Sequence, residues 1–164
     1  MKVQKIIFWG IMVFITIDFL SYFFPALKAI EQGGSGAGVW LFKLVRIAVC
    51  FGIGISFFWL QKAYSKDGFL TTNALKTLKT IGYLGLSIAV ISSIEDAFTV
   101  LRSLEVHFNG HTPADVSWFA FVRAFIAHLL AREPLPILFG LFVLLIADFA
   151  KKALAFKSEN ESFI

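Results

Sequence analysis

Cysteine is almost missing from this chain. Cys50 stands alone in an apolar run, so no intrachain disulfide can form and no zinc-type spacing exists. Charge is scarce too: Asp, Glu, Lys and Arg supply 16% of the 164 residues, against roughly 25% in soluble domains. With hydrophobic residues at 58% and a mean hydropathy of +0.79, polar side chains are too few to cover a soluble core of this size. The usual catalytic signatures are also missing, with no H-E-x-x-H pair and no G-x-S-x-G turn. Gly33-Gly34-Ser35-Gly36 lacks the lysine and the strand-to-helix setting of a phosphate loop, and reads as linker. His107 and His111 are four apart, which suits a metal only on a helix, and Asn109-Gly110 between them reads as a turn. Even with Asp115 added, no metal, cofactor or enzymatic activity is expected. The net charge of +4 is spread along the chain without a dense arginine cluster, so direct nucleic-acid binding is not expected either.

What is present is a set of long apolar runs. They predict an all-α, polytopic membrane protein, a single domain with transmembrane helices over 6–24, 39–60, 80–101 and 135–150. The first run has a basic start like a signal peptide. Its 19 residues are nearer the roughly 20 of a span than the 7–15 of a signal core, and it is read as a retained span. Pro25 is expected to close it, with 31–38 as a flexible loop. The lysine-rich break over 61–79 separates two hydrophobic hairpins. Within it, Asp67-Gly68 is a turn signal, and Thr71, Thr72 or Asn73 can cap the next helix. Residues 103–115 read as a loop. The aromatic-rich stretch 116–131, broken by Arg123 and His128, reads as an outward-facing interfacial or re-entrant helix. Pro134 and Pro136 open the last span.

Orientation follows from the basic residues. Lys2, Lys5, Lys62, Lys66, Lys76, Lys79, Lys151, Lys152 and Lys157 fall on one side, and Lys28, Arg102, Arg123 and Arg132 on the other, nine against four. Both termini and the central break are therefore expected in the cytoplasm. Trp9, Trp40, Trp59 and Trp118 fall near span ends, as interfacial tryptophans do.

Charges within the spans are the residues that could carry chemistry, because an ionised group there is expensive. Asp18, Lys43, Arg46, Glu95, Asp96 and Arg102 fall at similar depth and are expected to form a charge network, read either as a structural ion-pair layer or as an ion-coupled or sensing site. Lys62, Lys66, Lys76, Lys79, Lys151 and Lys152 form the candidate inner surface for a cytoplasmic partner or anionic lipid. Asp148 is expected to pair with Lys152 at i, i+4. Gly52, Gly54 and Ser56, with Gly82, Gly85 and Ser87, predict close packing of the second and third spans.

Residues 147–164, ADFAKKALAFKSENESFI, carry a helix into Lys151-Lys152, then Ser158-Glu159-Asn160 and Ile164. The middle of the chain has a basic break, a turn, Phe69 and a helix reaching Ile81-Gly82-Tyr83. Both segments resemble a bacterial four-span membrane-protein family known as domain of unknown function 2975, although Ala153 stands where that family commonly has glycine. The resemblance implies a bacterial plasma-membrane protein. Members are often encoded beside a small helix-turn-helix regulator, which implies a cytoplasmic transcription regulator as partner. The expected role is thus a non-enzymatic accessory or signalling component. The alternative is a small transporter or ion-coupled protein working through the span charges, with an intramembrane enzyme third. The bilayer is the expected neighbour, and a homo-oligomer is left open.

Overall fold

The structure is a computed structural model, which describes residues 2–31, 37–67, 71–107 and 114–161. Those residues form five α-helices and no strand: α1 (Lys2–Glu31), α2 (Ala37–Asp67), α3 (Thr72–His107), α4 (Ala114–Ala131) and α5 (Pro134–Glu161). Within them, the segments Phe8–Glu31, Ala37–Ser65 and Thr72–Leu104 are each long and apolar enough to cross a membrane. Even the shortest, at 24 residues, rises about 36 Å at 1.5 Å per residue, more than the roughly 30 Å of a hydrocarbon core. A fourth crossing is reached only if the bent pair of α4 and α5 counts as one broken span.

The outward surface agrees with an apolar solvent. Ile6 and Phe14 are each 71% exposed, and Leu135 75%. Water would tolerate such side chains singly, but not in rows along every helix.

Several helix limits differ from the sequence reading. Pro25 does not end α1, which continues through it to Glu31. Proline removes one backbone donor, and in a lipid-facing helix that loss is tolerated where the surroundings re-satisfy the freed carbonyl. The lysine-rich break is mostly helix, because α2 runs on to Asp67 and α3 starts at Thr72. Residues 103–107, expected as loop, extend α3, and Ser103 Oγ bonds back to the Val100 carbonyl at 2.7 Å. Thr71 is the cap: its Oγ1 accepts the Ala74 N–H at 3.2 Å, and its carbonyl takes the Leu75 N–H at 3.0 Å. Pro134 opens α5 in its first turn, where the N–H it lacks would have no intrahelical acceptor. The core of the expected 31–38 loop, Gly68 of the expected turn, and Phe69, Asn109, Gly110, His111 and Ile164 lie outside the described residues.

By contacts the chain falls into two compact units. Unit 1 holds Met1–Phe51 and Ile88–Pro134: α1, the first half of α2, the second half of α3, and α4. Aromatic rings pack it. Phe19 meets Phe51 between α1 and α2, Phe42 stacks on Phe98 at 5.4 Å, and Phe98 meets Phe121 of α4 at 5.5 Å.

Unit 2 holds Gly52–Ser87 and Leu135–Ile164. Its core is Leu78, Ile81, Val143 and Ala147, with Ile53, Leu60 and Ile146 packed against it. Between α3 and α5 the backbones nearly touch. A Cβ added at Gly140 would lie 2.9 Å from the Gly82 carbonyl oxygen, and one at Gly82 would lie 3.1 Å from the Gly140 oxygen. Small residues allow this approach, which a membrane helix pair needs because lipid gives it no hydrophobic drive. The glycines of α3 thus serve α5. On the expected α2–α3 contact, a Cβ at Gly52 would lie 3.4 Å from Leu84.

Candidate functional site

Glu95 and Asp96 are consecutive on α3, so their side chains leave the helix about 100° apart. In unit 1 this sends one acid to α2 and the other to α4. Glu95 is 7% exposed. Arg46 Nη1 lies 3.1 Å from its Oε2 and Lys43 Nζ 4.0 Å from its Oε1, the two cations being one turn apart on α2. The Arg46 approach falls off the N–H axis: the same buried Oε2 has no aligned hydrogen bond. Charge attraction, not hydrogen bonding, is what holds this pair. Lys43 is fixed from a third side, its ammonium 4.9 Å from the Trp40 ring centre and 5.5 Å from that of Tyr22 on α1.

Asp96 is bound on the α4 side. Its Oδ2 meets His128 Nδ1 and accepts a long hydrogen bond from Arg132 Nη1 at 3.4 Å. The other ring nitrogen of His128, Nε2, lies 3.3 Å from Glu133 Oε1. This cluster sits where α4 ends. The Arg132 and Glu133 N–H groups both donate to the His128 carbonyl, at 2.9 and 3.2 Å, closing the last turn. Beside it is a groove of about 380 Å³, lined by Asp96, His128 and Arg132 at one end and by Val100, Ala124, Ala127 and Ala131 along its wall.

The structure therefore brings together Lys43, Arg46 and Glu95 of the expected network, and draws Asp96 toward α4. Asp18 is half-buried on α1, within electrostatic range of Cys50, and has no ion pair among the described residues. Arg102 is exposed and likewise has no ion pair among them. His128, Arg132 and Glu133 are the residues the sequence reading left out of the charge network. Their signal was available: His128 and Arg132 are four apart across the end of a helix, with the acid directly after.

The candidate inner surface lies in unit 2. Gly82 and Gly85 face Gly140 while Lys79 faces Asp148, so α3 and α5 run antiparallel. That places Lys76 at the same end as Lys151 and Lys152, all three exposed. Leu60 packs on the same core and brings Lys62, whose ammonium lies 5.2 Å from the Trp59 ring centre. Lys79 Nζ is 3.8 Å from Asp148 Oδ1. Asp148 thus pairs across to α3 and not with Lys152 as its spacing suggested, because the glycine contact holds the two helices close. The side chain of Lys66 lies outside the described residues, as do those of Lys2 and Lys5. Scanned against protein-family models, curated proteins and solved structures, the chain matches none of them.

Proposed function

We propose that this chain is a non-enzymatic accessory or signalling protein of a bacterial plasma membrane. It crosses the bilayer four times, keeps both termini inside, and presents its lysine-bearing end to a cytoplasmic partner, a helix-turn-helix regulator being the partner implied by the family resemblance. One observation carries this reading. Lys62, Lys76, Lys79, Lys151 and Lys152, separated by up to ninety positions in sequence, sit at one end of a single packed three-helix unit. A cationic cluster assembled from three helices is a surface, whereas scattered positive charge is only a topology signal.

The test is crosslinking of the full chain in cells at native expression, comparing wild type with a Lys62→Gln, Lys66→Gln, Lys76→Gln variant. Capture of one DNA-binding regulator that the variant loses supports the role. Identical capture by both proteins removes it. The second reading, an ion-coupled protein, is favoured by Glu95, whose buried carboxylate lies inside a candidate span with an oxygen left without an aligned hydrogen bond. Proton or cation flux into liposomes that is lost in Glu95→Gln would put this reading first.

A further inference from the structure

The pairing of Asp148 has a consequence for its neighbours. Had it bonded Lys152, the charges on this face of α5 would largely cancel. It lies 3.8 Å from Lys79 Nζ instead, and neither Lys151 nor Lys152 has an ion pair among the described residues. Two exposed ammonium groups therefore stand together, and the one carboxylate lining their groove, Asp148, is shared with Lys79.

Directly beneath them the same helix is apolar. Leu145, Phe149 and Lys152 fall at i, i+4 and i+7 and so share one stripe. Leu145 is 51% and Phe149 59% exposed. A groove of about 370 Å³ on α5 is lined by Leu145, Asp148, Phe149, Lys151, Lys152 and Ala155. From Leu145 to Lys152 the helix rises about 10 Å. An occupant must present chain-like apolar surface to Leu145 and Phe149, and negative charge to Lys151 and Lys152, at that spacing.

We infer that this face of α5 is a binding site for one anionic phospholipid, its acyl chain along Leu145 and Phe149 and its phosphate between Lys151 and Lys152. The inference rests on the proposal that α5 enters the bilayer with its lysine end at the inner surface. An acidic segment of a soluble protein would meet the charge but leave the apolar stripe uncovered. A zwitterionic lipid would cover the stripe, yet bring its own cation to the lysines. The lipid would also divide the cationic end: Lys151 and Lys152 go to the membrane, and Lys62 and Lys76 remain for a partner.

The test uses the full chain in liposomes, with Phe149→Trp as reporter and the four native tryptophans replaced by phenylalanine. Brominated phosphatidylglycerol and brominated phosphatidylcholine are compared as quenchers at equal mole fraction. Near-surface lysines favour anionic lipid by about fivefold each. Phosphatidylglycerol should accordingly quench at up to about 25-fold lower fraction, and K151Q/K152Q should abolish the preference. Because the reporter carries many substitutions, native mass spectrometry of the otherwise unmodified chain gives a second measurement: K151Q/K152Q should lose one bound phosphatidylglycerol. Equal quenching by both lipids, with the same adduct count in both proteins, overturns the lipid site while leaving α5 in the bilayer. No quenching by either lipid overturns the site and the insertion of α5 together. A shift in the reporter's emission with soluble polyglutamate but no lipid preference overturns the site in favour of an acidic protein partner.

Discussion

Gly140→Ala is the most direct probe of how unit 2 is held together. The new methyl group would lie 2.8 and 2.9 Å from Leu86 Cγ and Cδ2, and 2.9 Å from the Gly82 carbonyl oxygen. Leu86 can turn aside, but the carbonyl belongs to the α3 backbone and moves only with the helix. Restoring an ordinary 3.4 Å contact requires α3 and α5 to separate by about 0.5 Å at this point, enough to forfeit about a quarter of the dispersion energy along the seam. Overpacking of this kind costs roughly 1–3 kcal/mol, while alanine returns up to about 1 kcal/mol of helix propensity. With the full propensity returned, the expected net loss is therefore up to about 2 kcal/mol. Unfolding of the purified chain by titration from mild detergent into dodecyl sulfate, followed by intrinsic fluorescence, measures it. Gly10→Ala and Gly38→Ala serve as controls, since a Cβ at either meets nothing within 4 Å. Both should match or exceed the wild-type midpoint. Gly82→Ala, which meets Leu144 at 2.7 Å, pushes the same helices apart, so the double variant should lose less than the sum of the singles. A Gly140→Ala midpoint at or above that of Gly10→Ala would refute the close α3–α5 contact.

Three further outcomes are expected. Glu95→Gln should lower stability in the same titration by about 3 kcal/mol, because Lys43 and Arg46 lose their shared counter-charge; Asp18→Asn, which breaks no ion pair among the described residues, should change it by less than about 0.5 kcal/mol, and an equal loss in both would undo this distinction. Asp148→Asn should cost no more than about 1 kcal/mol, less still at high salt, since Lys79 and Asp148 are both substantially exposed; a loss that persists in high salt would show the pair to be more than a surface contact. Thr71→Ala should cost about 1 kcal/mol through the lost cap on Ala74, with Thr71→Ser retaining most of it; equal losses in both would rule out the hydroxyl.

The helical class and the apolar runs were legible because hydropathy is a sum over many residues, and no single side chain can overturn it. Helix ends were less so. Pro25 and the 61–79 stretch carry signals that end helices in water, where a freed backbone group finds a solvent partner. Within the candidate span of α1 the cheaper course is to keep going past Pro25, whereas α2 runs into the break on the good helix formers Gln61, Lys62 and Ala63 and stops by the Asp67-Gly68 turn signal. The cap at Thr71 was readable since it depends only on residues within one turn.

The site was legible in its parts but not in its pairing, and the reason is geometric. Sequence gave the charges and a rough depth for each, which suffices to say that Lys43, Arg46 and Glu95 can meet. It gave no rotation about the helix axis, and on α3 one position is a turn of about 100°. That single step decides that Asp96 looks to α4 and His128, where depth alone grouped it with Glu95. Rotation in turn is fixed by where the smallest residues lie. Gly82, Gly85 and Gly140 choose α5 as the partner of the first half of α3, and that choice carries Lys79 to Asp148. The unpaired state of Lys151 and Lys152 therefore traces to the contact of Gly140, on their own helix, with Gly82 and Gly85 of α3. Widening that contact with Gly140→Ala should loosen the Lys79–Asp148 pair and return Asp148 to Lys152, so the packing variant and the charge variant report on one linked arrangement.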